Sequence, residues 1–254
     1  MPPCSPQDQP IATRYEAGQV TVNLTCMERR NALTAEAVSG LHNALDEAED
    51  RSGCRLLVIT ARGSHFCSGI DLTSALPPPW LTDQEPSVST LLNRLATSTV
   101  MTAAVVDGAV TAGGVGLTAA CDVVIARSAA SFQLTELRLG LVPAVILPYL
   151  ARRTGPHRAG ALALLGETLS AEAACRAGLA DHVSVRPDSE DDLRWLRGQL
   201  TAVRRADIHT LKAYRDVCAA PLPPAETVKE LVRQSFESPA ARRRIEALRR
   251  MGLV

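Results

Sequence analysis

Three stretches of this chain combine residue types that can work on a carbonyl group. Val105 to Arg127 reads V-V-D-G-A-V-T-A-G-G-V-G-L-T-A-A-C-D-V-V-I-A-R, an apolar run, a glycine cluster and a small-residue helix start. Glycines let the backbone approach a ligand, and the unpaired N–H groups of a helix's first turn can donate to an oxyanion. A phosphate loop is the poorer reading, because the G-x-x-x-x-G-K-[ST] lysine is missing and the G-G-x-G spacing does not follow G-x-G-x-x-G. Arg62 to Leu72, R-G-S-H-F-C-S-G-I-D-L, sets Gly69 beside Ile70 and Asp71. Phe132 to Pro143, F-Q-L-T-E-L-R-L-G-L-V-P, holds Glu136 between Leu134 and Leu137. Desolvation raises a carboxyl pKa toward neutrality, which suits a general base. Each stretch also has a plainer reading: close helix–strand packing for the glycines, and a surface ion pair with Arg138 for Glu136.

These residues must be held by regular elements, and the periodicity supplies them. Val20, Val22, Leu24 and Cys26 alternate as in a half-buried strand, and Thr34 is placed to cap a helix reaching Asp50. Leu56 to Thr60 and Ala103 to Val106 read as buried strands. Val88, Leu91, Leu92 and Leu95 fall at helical spacing, Asp122 to Ala126 is strand-like, and Ser131 to Leu134 can pair with a neighbour. Strands alternating with helices predict an α/β organisation. From about Asp188 the pattern turns to helices alone, over 188–203, 207–217, 225–236 and 239–250. We therefore expect a core over 1–187, with 1–13 a loose tail, and a helical region over 188–254. Ala75 to Ser87, with Pro77, Pro78 and Pro79, is expected to be a mobile surface segment.

Composition narrows the partners. The 254 residues are 46% hydrophobic and 21% charged with a formal net charge of zero, which argues against general nucleic-acid binding. No apolar run has transmembrane length, and the prolines of the first ten residues do not fit a signal peptide, so a cytoplasmic protein without a membrane role is expected. Seven scattered cysteines show no metal-ligand spacing and read as reduced and mostly buried.

Taken together and in order, F-C-S-G-I-D-L (Phe66 to Leu72), A-G-G-V-G-L-T-A-A-C-D (Ala112 to Asp122) and Phe132 to Pro143 resemble the crotonase, or enoyl-CoA hydratase/isomerase, superfamily. The likeness spans roughly residues 12 to 185. It implies an α/β spiral of ββα turns with a C-terminal helical trimerisation region, and a homotrimer or dimer of trimers. Residue by residue, it puts the two backbone N–H groups that grip a thioester oxygen on Ile70 and Gly113, and the acid/base carboxyl on Glu136. Arg29 to Thr34, R-R-N-A-L-T, resembles the family's early ligand-binding loop without its usual proline. Arg30, Ala32, Gly69, Asp71 and Gly114 are the substrate-binding candidates; His65, close in sequence to the donor loop, could touch a distal carboxylate or a phosphate, or be a solvent-facing loop histidine. A first glutamate used by many hydratases of the family falls at Gly116, so only one acid remains.

The run from Ala112 to Leu117 and L-T-E-L-R-L-G-L-V-P-A-V-I-L-P-Y-L-A-R-R-T-G resemble most the dehydratases of polyketide β-branching cassettes. That resemblance implies dehydration of a 3-hydroxy-3-methylglutaryl thioester on an acyl carrier protein to the 3-methylglutaconyl thioester. A 3-methylglutaconyl-CoA hydratase, or another hydratase/isomerase acting on CoA thioesters, is the alternative, and a non-catalytic scaffold is the alternative of another class. No metal or cofactor is implied; phosphopantetheine belongs to the substrate. A glutaryl-type substrate needs a cation, and Arg62, Arg138, Arg152 and Arg153 are candidates. Cys67, Cys121 and His157 read as packing or helix-start residues, Asp71 alternatively as a helix cap, and Arg242 to Arg250 as a basic amphipathic helix facing solvent or an acidic carrier protein.

Overall fold

The computed structural model describes residues 9–73, 77–82, 85–184, 189–202 and 224–251. Its strands are β1 (Ile11–Glu16), β2 (Gln19–Leu24), β3 (Leu56–Ala61), β4 (His65–Cys67), β5 (Met101–Val106), β6 (Ala109–Thr111), β7 (Val123–Arg127), β8 (Ser131–Gln133), β9 (Leu169–Ser170) and β10 (His182–Ser184). Its helices are α1 (Ala35–Asp50), α2 (Val88–Thr97), α3 (Gly113–Ala120), α4 (Glu136–Leu139), α5 (Leu147–Thr154), α6 (Pro156–Leu165), α7 (Ala171–Arg176), α8 (Ser189–Ala202), α9 (Ala225–Glu237) and α10 (Pro239–Arg250).

Two sheets grow together as the chain advances. One has the order β1-β2-β3-β5-β7-β10, the other β4-β6-β8-β9. Each of β3–β4, β5–β6 and β7–β8 gives one strand to each sheet, and the next helix carries the chain back for the following turn. Strands β2, β3, β5, β7 and β10 run parallel, as do β4, β6 and β8. This repeat delivers the ends of β4, β6 and β8 side by side, and the three chemistry-bearing stretches follow those ends.

The parallel strands are apolar on both faces because both are covered. On one side Val22, Leu57 and Ile59 pack with Val38, Leu41 and Leu45 of α1. On the other Leu56, Val58, Val105 and Ile125 meet Leu193 and Leu196 of α8, and Trp195 stacks on His182 with ring centroids 4.6 Å apart. Thr34 caps α1 as expected, its hydroxyl accepting from the Ala37 N–H at 3.2 Å. Arg153 ties α5 to the sheet by donating to the carbonyls of Leu179 and Cys121 and to the Asp181 carboxylate.

Some expectations change. The tail does not extend to residue 13, since Ile11–Glu16 forms a strand antiparallel to β2, with Ile11 opposite Leu24. Within the expected surface segment Pro79–Leu81 forms a 3-10 turn that buries Leu81, while residues 75, 76, 83 and 84 lie outside the described residues. The 207–217 helix lies outside the described residues. Cys54, Cys67, Cys121 and Cys175 are free thiols, whereas Cys26 is disulfide-bonded, not reduced. Among the described residues no helix is long and apolar enough to cross a membrane, and no cluster of potential metal ligands occurs.

Candidate active site

Two loops cross at their backbones. Leu33 and Ile70 form an isolated parallel bridge: the Leu33 N–H donates to the Gly69 carbonyl at 2.8 Å, and the Asp71 N–H donates to the Leu33 carbonyl at 3.2 Å. The Trp80 indole N–H donates to that same Leu33 oxygen at 3.2 Å. The bridge uses the amide after Ile70 and the carbonyl before it, so the N–H of Ile70 itself is left over. Gly69 has φ +91°, and a Cβ there would lie 2.8 Å from Ala112 Cβ and 2.9 Å from the Gly113 nitrogen. Only glycine allows this approach.

Gly113 opens α3, so its N–H has no carbonyl one turn earlier in the helix. A Cβ built on Gly113 would lie 3.5 Å from the Ile70 nitrogen, which puts the two amides in one neighbourhood. Among the described residues neither amide donates a hydrogen bond. Ala112, just before, takes φ +49° and ψ −125°, a strained choice for a residue with a Cβ. Its N–H is held by the Gln133 carbonyl at 3.0 Å, and the Thr111 hydroxyl donates to the Ser68 carbonyl at 3.1 Å.

Glu136 begins α4 and lines the same cavity as Ile70 and Gly113, a space of about 330 Å³. Its Oε2 is buried without a hydrogen-bond partner. Burial pushes the carboxyl pKa up to about 7, against the opposing pull of the backbone N–H groups of Glu136 and Thr135. The group is therefore poised to exchange a proton near neutral pH. Among the described residues no ion pair joins it to Arg138, which is exposed two residues further along the same short helix.

The other expected residues divide. Arg30, Ala32 and Asp71 line the cavity; Gly69 shapes it from behind; Gly114 does not reach it, because a Cβ there would lie 2.6 Å from the Cys67 carbonyl oxygen, a helix–strand contact. His65 is absent from the lining: it starts β4 and its Nδ1 meets the Ser64 hydroxyl at 3.0 Å. Burial, with the nearby Arg30 charge, lowers its pKa. Cys67 is no nucleophile, since burial raises its thiol to about 12. His157 stands exposed in the first turn of α6.

None of Arg62, Arg138, Arg152 and Arg153 lines the cavity among the described residues; Arg29 and Arg30 do. Arg29, which opens the R-R-N-A-L-T stretch, donates from Nη2 to Asp71 Oδ2 at 2.7 Å and to the Thr73 hydroxyl at 2.9 Å. Asp71 in turn accepts from the Thr73 N–H at 3.0 Å and the Thr73 hydroxyl at 2.7 Å. Asp71 is thus a clamp on the loop that follows Ile70, not a helix cap. The R-R dipeptide was the available signal, but Arg30 and Asn31 have φ near +52° and +53°, and this left-handed turn separates the two arginines in a way that spacing does not reveal.

The place of the absent first glutamate is filled. A Cβ on Gly116 would lie 2.2 Å from Ile146 Cγ2, so Ile146 seals that wall with hydrocarbon. Leu139, Leu141 and Val145 continue the apolar lining around Glu136.

Comparison with known proteins places this geometry. Residues 14–252 match the family described as enoyl-CoA hydratase/isomerase. The bacillaene synthase dehydratase PksH of Bacillus subtilis is 30% identical over 212 residues, 82% of this chain and 79% of that protein. The crystal structure of PksH superposes with a TM-score of 0.77 at 27% identity, covering 96% of this chain and 98% of that one. An enoyl-CoA hydratase from Mycobacterium avium gives a TM-score of 0.80 at 28% identity, over 96% and 98% of the two chains.

Two outcomes are expected from this geometry. Asp71→Asn, which keeps the shape but loses the Arg29 ion pair, should lower kcat by up to about 10²-fold with little change in melting temperature, because misplacing a donor by about 1 Å costs that much. An unchanged kcat would detach the clamp from the Ile70 loop. Gly116→Ala should cost about 1–3 kcal/mol by overpacking against Ile146. Denaturant titration should show Ile146→Ala relieving that cost in the double variant, a non-additive pair; additive losses would mean that the two residues do not share the space.

Proposed function

Because the chain belongs to the enoyl-CoA hydratase/isomerase family and is a carbon–oxygen lyase, we propose that it removes water from a 3-hydroxy-3-methylglutaryl thioester carried on an acyl carrier protein. The product is the 3-methylglutaconyl thioester. One observation carries the reading: a single buried, partnerless carboxylate oxygen shares a cavity with two uncommitted backbone amides. The dehydratase description of PksH, and the hydrocarbon seal over the first-glutamate position at Gly116, favour dehydration by one acid.

In the proposed reaction the thioester oxygen sits between the N–H groups of Ile70 and Gly113. The Glu136 carboxylate takes the C2 proton, and the C2–H electron pair moves into the enolate. Amides preorganised in a dry site stabilise that charge, each worth roughly 3 kcal/mol by analogy with acyl-transfer oxyanion holes. The protonated Glu136 then gives its proton to the 3-hydroxyl as the C3–O bond breaks. The enolate collapses to a C2–C3 double bond, water leaves, and the carboxylate is restored. One group acts as base and acid on the same face. Arg30 lines the cavity and no ion pair for it is found among the described residues, so it is our choice for the substrate's anionic part.

A CoA ester handled in the hydrating direction is the second reading, favoured by the hydratase description of the Mycobacterium avium relative. Incubation with both thioesters, followed by intact mass for loss of water, separates the two; turnover of CoA esters alone would remove the carrier. The assembly we propose is a homotrimer or a dimer of trimers. Leu164 and Leu165 are 75% and 73% exposed at the end of α6, an apolar pair that assembly would cover.

Glu136→Gln tests the reading in two ways. Turnover should fall roughly 10²–10⁴-fold, and the acid limb of kcat/KM near pH 7 should disappear; undiminished turnover would unseat the assigned base and favour a scaffold. Stability should move oppositely. A carboxyl raised from 4.5 to about 7 favours the folded state below pH 4.5, and that contribution is lost as pH rises through 7. The variant should therefore exceed wild type by about 3 kcal/mol at pH 8 and match it near pH 4. Equal melting curves at both pH values would contradict the burial of Glu136.

A further inference from the structure

We propose that the outer face of α10 is the docking surface for an acidic carrier protein that presents the thioester to this cavity; the proposal rests on the carrier-bound reading above. The chain has zero net charge, yet α10 holds five arginines against one glutamate, Glu246. This is a local field on a neutral protein, and such a field can steer an oppositely charged partner.

The helix is seated at the cavity's rim. Ala241 and Ile245 are buried beneath it. Its Arg249 donates from Nη2 to the carbonyl of Leu72 at 3.0 Å, and Leu72 lines the cavity two residues after Ile70. The preceding helix, α9, places Val232 and Phe236 in the cavity wall. At helical spacing Arg243 and Arg250 fall on the side opposite Ala241 and Ile245 and Arg242 on its flank, and all three are exposed. The acids of α9 do not neutralise them: Glu230 and Glu237 are both engaged by Arg233 on their own helix. An acidic surface resting on α10 would bring a phosphopantetheine arm to the Arg30 and Leu72 side of the opening.

The test compares wild type with the charge-reversed triple variant R242E/R243E/R250E, leaving Arg249 in place. An acidic acyl carrier protein bearing its phosphopantetheine arm is titrated by fluorescence anisotropy at low and high salt. Turnover of a CoA thioester, circular dichroism and sedimentation mass are measured in parallel. The expected result is a Kd raised at least about 10-fold at low salt and a flattened salt dependence, with CoA-thioester turnover within about two-fold of wild type. An unchanged Kd would overturn the proposal. So would an equal loss on the CoA thioester, or a smaller sedimentation mass in the variant, which would assign the face to a second copy of this chain. If wild type turns over neither thioester, the proposed activity fails, while the Kd comparison still decides the docking face.

Discussion

The site depends on keeping a carboxyl group dry without giving it an ionic partner. A salt bridge to Glu136 would hold the proton affinity low and occupy the oxygen that must reach the substrate. A fully solvated position would return it to the ordinary carboxylate range. The wall of Leu139, Leu141, Val145 and Ile146 supplies desolvation, while backbone N–H groups at the start of α4 prevent it from going further. The cost of burying this group is carried by a frame whose other polar members are mostly engaged.

That frame is laced by backbone rather than side chains. Leu33 holds Gly69 and Asp71, Gly69 admits Ala112 and Gly113, and Gln133 holds Ala112. These contacts join the ends of three successive ββα turns, so the repeat that builds the fold also gathers the donors. Arg29, Asp71 and Thr73 then lock the loop after Ile70 at the cavity wall. The amides are aimed by topology and steadied by one ion pair.

Much of this was legible in the chain. Alternation at Val20 to Leu24, the apolar runs of β3 and β5 and the capped helix after Thr34 follow from spacing, and the glycine cluster with Glu136 carried the family likeness. What spacing could not reveal depends on contacts far apart in sequence. β1 is exposed along nearly its whole length and declares no buried face, so it read as tail. Choosing among six arginines required knowing which loop folds over the cavity. The fate of Gly116 required Ile146, thirty residues later, whose branched side chain fills the space that an acid would need.

The indole of Trp80 joins these arrangements in a way that can be watched. The chain contains two tryptophans; one lies against His182 on the far side of the large sheet, the other donates to the oxygen that already anchors the Ile70 strand segment. Seating of the early loop and the environment of one chromophore are thereby the same event. Trp80 is a built-in optical gauge of whether the donor pair is assembled, and Trp195 is its internal reference.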